Sequence, residues 1–253
     1  MDHEYATRKV GNYQAQHGED RWLERYFAST GPGFFVEVGA YDGVVLSNTY
    51  LLETIGWRGI LVEPDPDKAA LCRANRPACR VFECAAAGSE DQTSIDFHAV
   101  EGGAVYSTTT MTPHHAARIR EWGLRHRTLT VQAKTLNSML ADVQPPSVSF
   151  VSIDVEEGEL EVLRGFDLER WRPRMVMVET NTRFRNRDVR NFFRQRGYAF
   201  FHAIGWNDIY VPLTELRWLA TTVDSLLYAS SKSRSMLQSA VRNALQRAAH
   251  AIR

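Results

Sequence analysis

The sequence has few cysteines, no excess of either charge and no long apolar run, and each absence excludes a class of protein. The three cysteines among its 253 residues, Cys72, Cys79 and Cys84, form neither a CxxC pair nor an even set. A disulfide framework is therefore not expected, and a reducing compartment is favoured. Lysine plus arginine and aspartate plus glutamate each total 30, so no global charge attracts nucleic acid or an anionic membrane.

The N-terminal stretch MDHEYATRKVGNYQAQHGED is polar and contains acids. It lacks the apolar core of a signal peptide, and the chain offers no run of ~20 apolar residues for a transmembrane helix. Aromatic residues are not interleaved with basic ones, as an RNA-stacking platform requires. We expect a cytoplasmic protein with no transmembrane segment and no nucleic acid among its partners.

Apolar runs of strand length alternate with segments of helical spacing, which is typical of a mostly parallel sheet covered on both faces. The predicted strands are Phe34–Val38, Gly59–Val62, Arg80–Cys84, Val148–Ile153, Met175–Glu179, Ala199–Ile204 and Asp208–Val211. The predicted helices are Ser47–Ile55, Asp65–Asn75, Thr135–Asp142, Glu159–Leu163 and Asp188–Arg196, with Asp65, Thr135 and Asp188 as N-caps.

Two segments fall outside this alternation. The segment from about Ala99 to Arg127 is rich in threonine, histidine and arginine, which predicts an insertion at the rim of the sheet. From Thr214 onward no strand pattern remains, and Met236–Ile252 is amphipathic. We predict a catalytic domain over residues 1–213 and a C-terminal helical tail over residues 214–253, whose helix is a candidate surface for homo-oligomer formation.

The strongest local pattern is FFVEVGAYDG, residues 34–43, in which a buried strand is followed by a glycine turn. Gly39 lets the chain bend where open α/β sheets bind ligands. The spacing lacks the G-x-G-x-x-G that seats a pyrophosphate, and the carboxylates of Glu37 and Asp42 suit a cationic cofactor without phosphate. The competing interpretation is a glycine turn without a ligand.

A second pattern, GILVEPD, ends a strand in Glu63 roughly 20 residues after the glycine turn. An acid at this position can accept hydrogen bonds from both hydroxyls of an adenosine ribose. Ala85 follows the next strand, where an adenine ring would need close approach, although simple packing explains a small residue equally well. Together the two patterns predict a nucleoside cofactor.

The chain resembles the FkbM-type methyltransferases that depend on S-adenosylmethionine (SAM), over about Gln16 to Pro212. The resemblance rests on five ordered runs: QHGEDRWLERYF, FFVEVGAYDGVVLSNTYLLE, GILVEPD, SFVSIDVEEGELEVLRGFDL and PRMVMVETN. It implies a class I, Rossmann-like methyltransferase fold, with a doubly wound sheet that is mostly parallel and has an antiparallel last strand. It also implies O-methylation of a saccharide or a saccharide-containing metabolite.

The resemblance also implies a set of site residues. Glu37, Gly39 and Asp42 would line the methionine end of SAM, Glu63 would hold the ribose, and Asp154 would lie beside the transfer site. Ser47 and Asn48 match the start of the first family helix, where capping is the alternative role. The predicted cofactor-binding residues are Gln16, Asp20, Glu37, Gly39, Ala40, Asp42, Ser47, Asn48, Glu63, Pro64, Ala85 and Asp154.

One departure from the family pattern affects the loop after Val148–Ile153. Family members commonly have Asp-x-Glu-Gly-x-Glu there, whereas this chain has DVEEGE, with Glu157 where the glycine normally falls. If that glycine has a positive φ angle, then Glu157 is strained or the turn shifts by one residue.

Removal of a proton from an acceptor hydroxyl needs a base or a metal ion. Asp154, Glu156 and His202 are the candidate catalytic residues, and Asp154, Glu179 and Asn181 are candidate ligands of Mg²⁺. His17, His114 and His115 are further candidate bases, although a lone histidine is more often a simple hydrogen-bonding residue. Acids at a helix N-terminus are the ordinary alternative for Glu156, Glu157 and Glu159.

Two other functions stay open on the sequence alone. One is a catalytically silent SAM-fold module that binds a protein partner. The other is a nicotinamide-dependent oxidoreductase, which the missing G-x-G-x-x-G and Tyr-x-x-x-Lys patterns disfavour.

Overall fold

The computed structural model describes residues 13–103, 106–180 and 186–216 of the chain. Two predictions lie outside these residues, namely the metal ligand Asn181 and the amphipathic helix Met236–Ile252. The helices are α1 (Glu19–Phe27), α2 (Tyr50–Thr54), α3 (Pro66–Asn75), α4 (Pro113–Glu121), α5 (Leu136–Val143), α6 (Glu159–Arg164), α7 (Leu168–Trp171) and α8 (Arg187–Gln195). The strands are β1 (Phe34–Val38), β2 (Arg58–Val62), β3 (Arg80–Phe82), β4 (Ala85–Ala86), β5 (Ser94–Glu101), β6 (Arg125–Lys134), β7 (Phe150–Ile153), β8 (Met175–Glu179), β9 (Tyr198–Ile204) and β10 (Asn207–Pro212).

Seven strands form one sheet in the order β3-β2-β1-β7-β8-β10-β9. The pairs from β3 to β8 are parallel, and β10 is antiparallel to both β8 and β9. This confirms the predicted doubly wound sheet with an antiparallel last strand. The chain moves outward from β1 to β3 and then returns to β7, so the ends of β1 and β7 flank the crevice where open α/β sheets bind ligands.

Helices cover both faces of this sheet because its central strands are apolar on both sides. In β1, Phe35 belongs to the core cluster that contains Leu23 of α1 and Leu52 of α2. The next residue, Val36, belongs to a second cluster with Leu163 of α6. Alternate side chains of one strand are thus buried in opposite layers, and close packing on both faces fixes where the strands end.

The pairing register brings four strand ends to one level. Val38 pairs with Val62 and with Ile153, and Ile153 pairs with Val178. Motifs that are far apart in the sequence therefore meet at one edge of the sheet. The residues that follow this row are Gly39, Glu63, Asp154 and Glu179.

A second sheet, in the order β4-β6-β5, stands at the rim. β5 and β6 pair antiparallel from Ser94 opposite Gln132 to Glu101 opposite Arg125, and α4 lies in the connection between them. The predicted insertion from Ala99 to Arg127 is therefore the outer part of a larger hairpin. The alternation of apolar and polar residues in SIDFHAVE is the sequence signal that identifies β5.

The five predicted helices are present with slightly shifted ends, and α1, α4 and α7 are additional. Asp65 and Thr135 cap α3 and α5 as predicted, because each side chain accepts hydrogen bonds from N–H groups of the first turn. The prediction for Asp188 is wrong. Asn186 caps α8, and the backbone N–H of Asp188 donates to its side chain.

None of the helices within the described ranges is both long and apolar enough to cross a bilayer. Cys72, Cys79 and Cys84 are free thiols. Burial raises the pKa of Cys72 and of Cys79 to about 12 and that of Cys84 to about 11. The three side chains are therefore protonated near neutral pH and are not reactive nucleophiles.

Candidate active site

A cleft that is open to solvent at its mouth lies at the edge of the sheet where the strand ends meet; with the open solvent at its mouth it contains about 1000 Å³ of free space. Gly39, Glu63 and Asp154, which follow β1, β2 and β7, all line it. Residues 45–48 and the rim segment 107–109 contribute further walls. The cleft therefore occupies the position that the strand order assigns to a ligand site.

Gly39 makes the turn at the end of β1, with φ at +83°. A Cβ atom on this residue would lie 1.8 Å from the backbone oxygen of Asp154. The backbone N–H of Gly39 also donates a hydrogen bond of 3.0 Å to the carbonyl of Val62. Glycine is needed here because three strand ends converge on one point and the backbone is left-handed.

The carboxylate of Glu37 holds the loop that follows this turn. It accepts hydrogen bonds from Ser47 Oγ at 2.9 Å, from the N–H of Asn48 at 2.9 Å and from Thr49 Oγ1 at 2.7 Å. Glu37 lines the cleft but is 4% exposed. Its carboxylate oxygens therefore mainly hold the cleft wall in place through these hydrogen bonds.

Arg76, the residue after α3, supports the same loop and is 1% exposed. Its guanidinium pairs with Glu53, lies 3.7 Å from Glu37 Oε2, and donates to the carbonyls of Gly43 at 2.7 Å and Thr49 at 3.2 Å. These carboxylates and carbonyls replace the water that the buried cation has lost. This wall of the cleft thus rests on a buried ionic network.

Both carboxylate oxygens of Glu63 are held in place by backbone groups. The N–H of Tyr41 donates to Oε2 and the N–H of Asp65 donates to Oε1, each at 2.9 Å. Burial raises the pKa of Glu63 to about 8, whereas these two hydrogen bonds favour the ionised form. A fixed carboxylate between the ends of β1 and β2 suits a pair of ribose hydroxyls.

Three carboxyl groups meet after β7 and at the end of β8. One oxygen each of Asp154, Glu156 and Glu179 lies within 4.8 Å of the other two. Burial and the neighbouring acids raise the pKa of Glu179 to about 11 and that of Glu156 to about 8, and the pKa of Asp154 is also raised. Three ionised carboxylates this close together would repel one another strongly in the absence of a cation. Glu179 therefore keeps its proton and hydrogen-bonds Asp154.

The loop after β7 has two consecutive left-handed residues, Glu156 with φ at +54° and Glu157 with φ at +78°. The residue that replaces the usual family glycine therefore does carry a strained backbone. Its carboxylate accepts a hydrogen bond from Thr112 Oγ1 and lies 3.4 Å from His114 Nδ1. Thr108 Oγ1 donates to the carbonyl of Glu156 at 2.6 Å, so hydrogen bonds tie this loop to the rim.

A family model, the methyltransferase FkbM domain, matches residues 37–200 of the sequence. The chain belongs to this family of SAM-dependent methyltransferases. The matched range contains the glycine turn, Glu63 and the three acids of the β7 and β8 ends. None of the curated proteins matches the sequence.

Solved methyltransferase structures are similar to this FkbM methyltransferase over most of its length. An O-methyltransferase from Bacillus cereus in complex with SAH is 11% identical, with a TM-score of 0.43 over 79% of this chain and 82% of its own. A precorrin-6y methyltransferase from Geobacter metallireducens is 11% identical, with a TM-score of 0.42 over 83% of this chain and 95% of its own. At these scores neither likeness identifies the acceptor.

Most of the predicted site residues of the FkbM methyltransferase line the cleft. They are Glu37, Gly39, Ala40, Ser47, Asn48, Glu63, Pro64, Ala85, Asp154 and Glu156. Glu179 reaches the cleft only through its hydrogen bond to Asp154. Asp42 does not line it, because its Oδ1 accepts hydrogen bonds from the N–H groups of Val44 and Val45 and fixes the turn.

The predicted motif before β1 packs beside the cleft wall. Asp20 is 1% exposed and accepts hydrogen bonds from the N–H groups of Gln14 at 2.6 Å and Ala15 at 3.0 Å. Ala15 forms a β-bridge with Leu46, which lines the cleft. Gln16 follows directly and is exposed. The role of Gln16 and Asp20 in closing over SAM stays a prediction.

The four candidate histidines, His17, His114, His115 and His202, are absent from the cleft lining. His202 lies on the edge strand β9, with its ring stacked 5.8 Å from that of Trp22. His115 is fully buried beneath the rim. Catalysis by His202 stays a prediction, and its position gives it no support.

Sequence reasoning missed three residues that shape the site. Phe97 of β5 and Thr108 line the cleft from the rim, and Arg76 supports it from the side of α3. Phe97 has a sequence signal in the alternation of β5. Arg76 has none, because the groups that it binds are remote in the chain.

Proposed function

We propose that this FkbM methyltransferase moves the methyl group of SAM to a hydroxyl oxygen of a saccharide or a saccharide-containing metabolite. The observation that carries the proposal is one continuous cleft with Glu63 fixed near one strand end and Asp154 and Glu156 at another. The first suits the ribose of the cofactor, and the acids suit a hydroxyl that must lose its proton. The saccharide class comes from the family resemblance.

The protein's contribution would be to hold the acceptor oxygen in line with the methyl group and to exclude water. When bound, SAM supplies an electrophilic methyl group on its sulfonium. Transfer would form a C–O bond as the S–C bond breaks, would release S-adenosylhomocysteine, and would pass the hydroxyl proton to a carboxylate. Asp154, and Glu156 in its ionised form, are the proposed acceptors of that proton, and the hydrogen bond from Glu179 orients Asp154.

Mg²⁺ is a second proposed means of activating the hydroxyl. The predicted ligand Asn181 lies outside the described residues, but Glu156 brings a third carboxylate to Asp154 and Glu179. Hard oxygen ligands of this kind suit Mg²⁺, which would replace the protons that now stabilise the cluster. Full activity after exhaustive EDTA treatment would exclude this route and leave the carboxylate base.

Calorimetry with SAM tests the cofactor assignment. The wild-type chain should bind SAM, and both Glu63→Ala and Gly39→Val should lose that binding while NADH binds none of the three proteins. Tight NADH binding without SAM binding would instead support the nicotinamide alternative.

Turnover distinguishes an enzyme from a silent SAM-fold module. Labelled SAM incubated with a fractionated extract of glycans and small metabolites should label a saccharide fraction. Asp154→Asn should bind SAM and lower the labelling rate by about 100-fold or more, which is the usual effect of removing a catalytic proton acceptor. Undiminished labelling by Asp154→Asn would show that the reaction occurs elsewhere.

A further inference from the structure

An aromatic pair lies on the rim, in the connection between β5 and β6. Trp122 follows α4, and its ring centre lies 4.7 Å from that of Tyr106, at an interplanar angle of 52°. Trp122 is nevertheless 47% exposed. Tryptophan and tyrosine are enriched at interfaces, because each ring offers a large apolar surface together with a polar group.

Arg118 of α4 connects this pair to the cleft. Its guanidinium carbon lies 5.2 Å from the ring centre of Trp122 and 5.6 Å from that of Tyr106. Its Nη2 lies 3.9 Å from Glu156 Oε2, and Glu156 lines the cleft. One side chain therefore separates the exposed indole from the carboxyl groups of the proposed transfer site.

Three arginines of the rim each lie near an acid, so they offer a weaker field to an anionic acceptor than three isolated cations would. Arg118 faces Glu156, Arg125 lies 4.0 Å from Glu101, and Arg127 lies 3.7 Å from Asp67. The pairs of Arg125 and Arg127 are exposed and weak, and Glu156 is buried, but each acid reduces the local field that would attract a phosphate or a carboxylate. The aromatic surface, rather than an excess of charge, is the distinctive feature.

We propose that Trp122 and Tyr106 form an acceptor subsite that packs against the apolar C–H face of a pyranose ring. This inference rests on the proposed function, because it assumes that the acceptor reaches the carboxyl groups of Asp154 and Glu156. The guanidinium of Arg118 provides N–H donors for ring hydroxyls. A sugar ring on the indole would thus direct the next part of the acceptor into the cleft.

Ligand-observed saturation-transfer NMR tests the subsite without turnover. The probes are the methyl pyranosides of glucose, galactose, mannose, rhamnose and glucuronic acid, each added to the full chain with S-adenosylhomocysteine. At least one should receive saturation at its C–H protons, and Trp122→Ala should abolish the signal or raise Kd at least tenfold. Trp122→Phe, which keeps an aromatic face, should retain most of the binding.

Trp206 provides a matched control, because it is 48% exposed and lies on the turn between β9 and β10. Trp206→Ala should leave pyranoside binding unchanged. Saturation of no pyranoside by the wild-type chain, or equal binding by Trp122→Ala, would overturn the subsite. SAM calorimetry on the same samples tests the proposed function separately. A chain that binds SAM but no pyranoside would contradict the subsite alone, whereas a chain that binds no SAM would contradict the proposed function.

Discussion

Substitution of alanine for Gly39 is the most direct test of how the strand ends build the cleft. The new Cβ would lie 1.8 Å from the backbone oxygen of Asp154, whereas real Cβ contacts essentially never fall below 3.0 Å. The obstructing atom belongs to the backbone and has no rotamer to change. β7 and the turn must therefore separate by about 1 Å in a region that is closely packed on both faces.

Two costs add up in Gly39→Ala. A left-handed alanine costs about 1–2 kcal/mol, and forced displacement in a packed core costs about 1–3 kcal/mol more. We expect the free energy of unfolding to fall by about 3 kcal/mol, which lowers Tm by roughly 6–12 °C in a chain of this size. Because Asp154 moves, kcat should also fall by about 100-fold.

Gly197→Ala is the matched control, since Gly197 has φ at +73° and nothing within 4 Å of its added Cβ. It should lose only the conformational cost, about 1 kcal/mol, and keep full activity. Urea unfolding and methyl transfer to any accepted substrate are measured on both variants. Equal stability losses in the two variants, or unchanged kcat in Gly39→Ala, would refute the view that Gly39 is required by the approach of Asp154.

Three further predictions concern Arg76 in the buried ionic network, the carboxylate of Glu63, and Glu157 in the strained loop after β7. Arg76→Met should lower the free energy of unfolding by about 3–5 kcal/mol in urea, because it leaves buried carboxylates without their cation; Arg73→Met, which breaks only the exposed pair with Glu83, should change it by less than about 1 kcal/mol. SAM affinity should rise by about tenfold per pH unit up to about pH 8, because the pKa of Glu63 is raised to about 8 in the free protein and ribose hydroxyls favour its ionised form. A calorimetric Kd for SAM that does not change between pH 6 and pH 8 would contradict this. In the control variant Glu63→Gln, the Kd should not depend on pH in this way. Glu157→Gly should be about 1 kcal/mol more stable to urea than Glu157→Ala, since both lose the carboxylate but only alanine keeps the left-handed strain; the reverse order would show that the loop changes its backbone.

The strand ends were predictable because apolar runs mark where parallel strands stop. Once Gly39, Glu63, Asp154 and Glu179 are each placed directly after or at the end of such a run, the register brings them together without further information. Apolar runs locate these acids, but they do not predict which groups hydrogen-bond to each acid. Asp42 is predicted to lie beside SAM; in the structure its Oδ1 accepts hydrogen bonds from the N–H groups of Val44 and Val45, and its role toward SAM stays a prediction.

The rim and the buried support could not be derived in the same way. β6 is mostly exposed, so its apolar residues never form a continuous run. Arginine is usually a surface residue, so the sequence does not indicate that Arg76 is buried. Only the folded chain places it between Glu37 and Glu53. Long-range ionic contacts of this kind leave no periodic trace, whereas burial on a strand or helix does.

The two ends of the cleft differ in the contacts that hold their residues in place. The end near Gly39 rests on the central sheet and on buried hydrogen bonds to Glu37 and Glu63, where most substitutions would cost stability. The end near Asp154 is closed by a rim that reaches the β7 loop through a few side chains, among them Thr108 and Thr112. Glu157, where this chain departs from the family pattern, lies where the two parts join, and its carboxylate binds the rim at the cost of a strained backbone. A glycine there would relax the loop and lose that link, because glycine adopts a positive φ without strain but has no carboxylate to accept the hydrogen bond from Thr112.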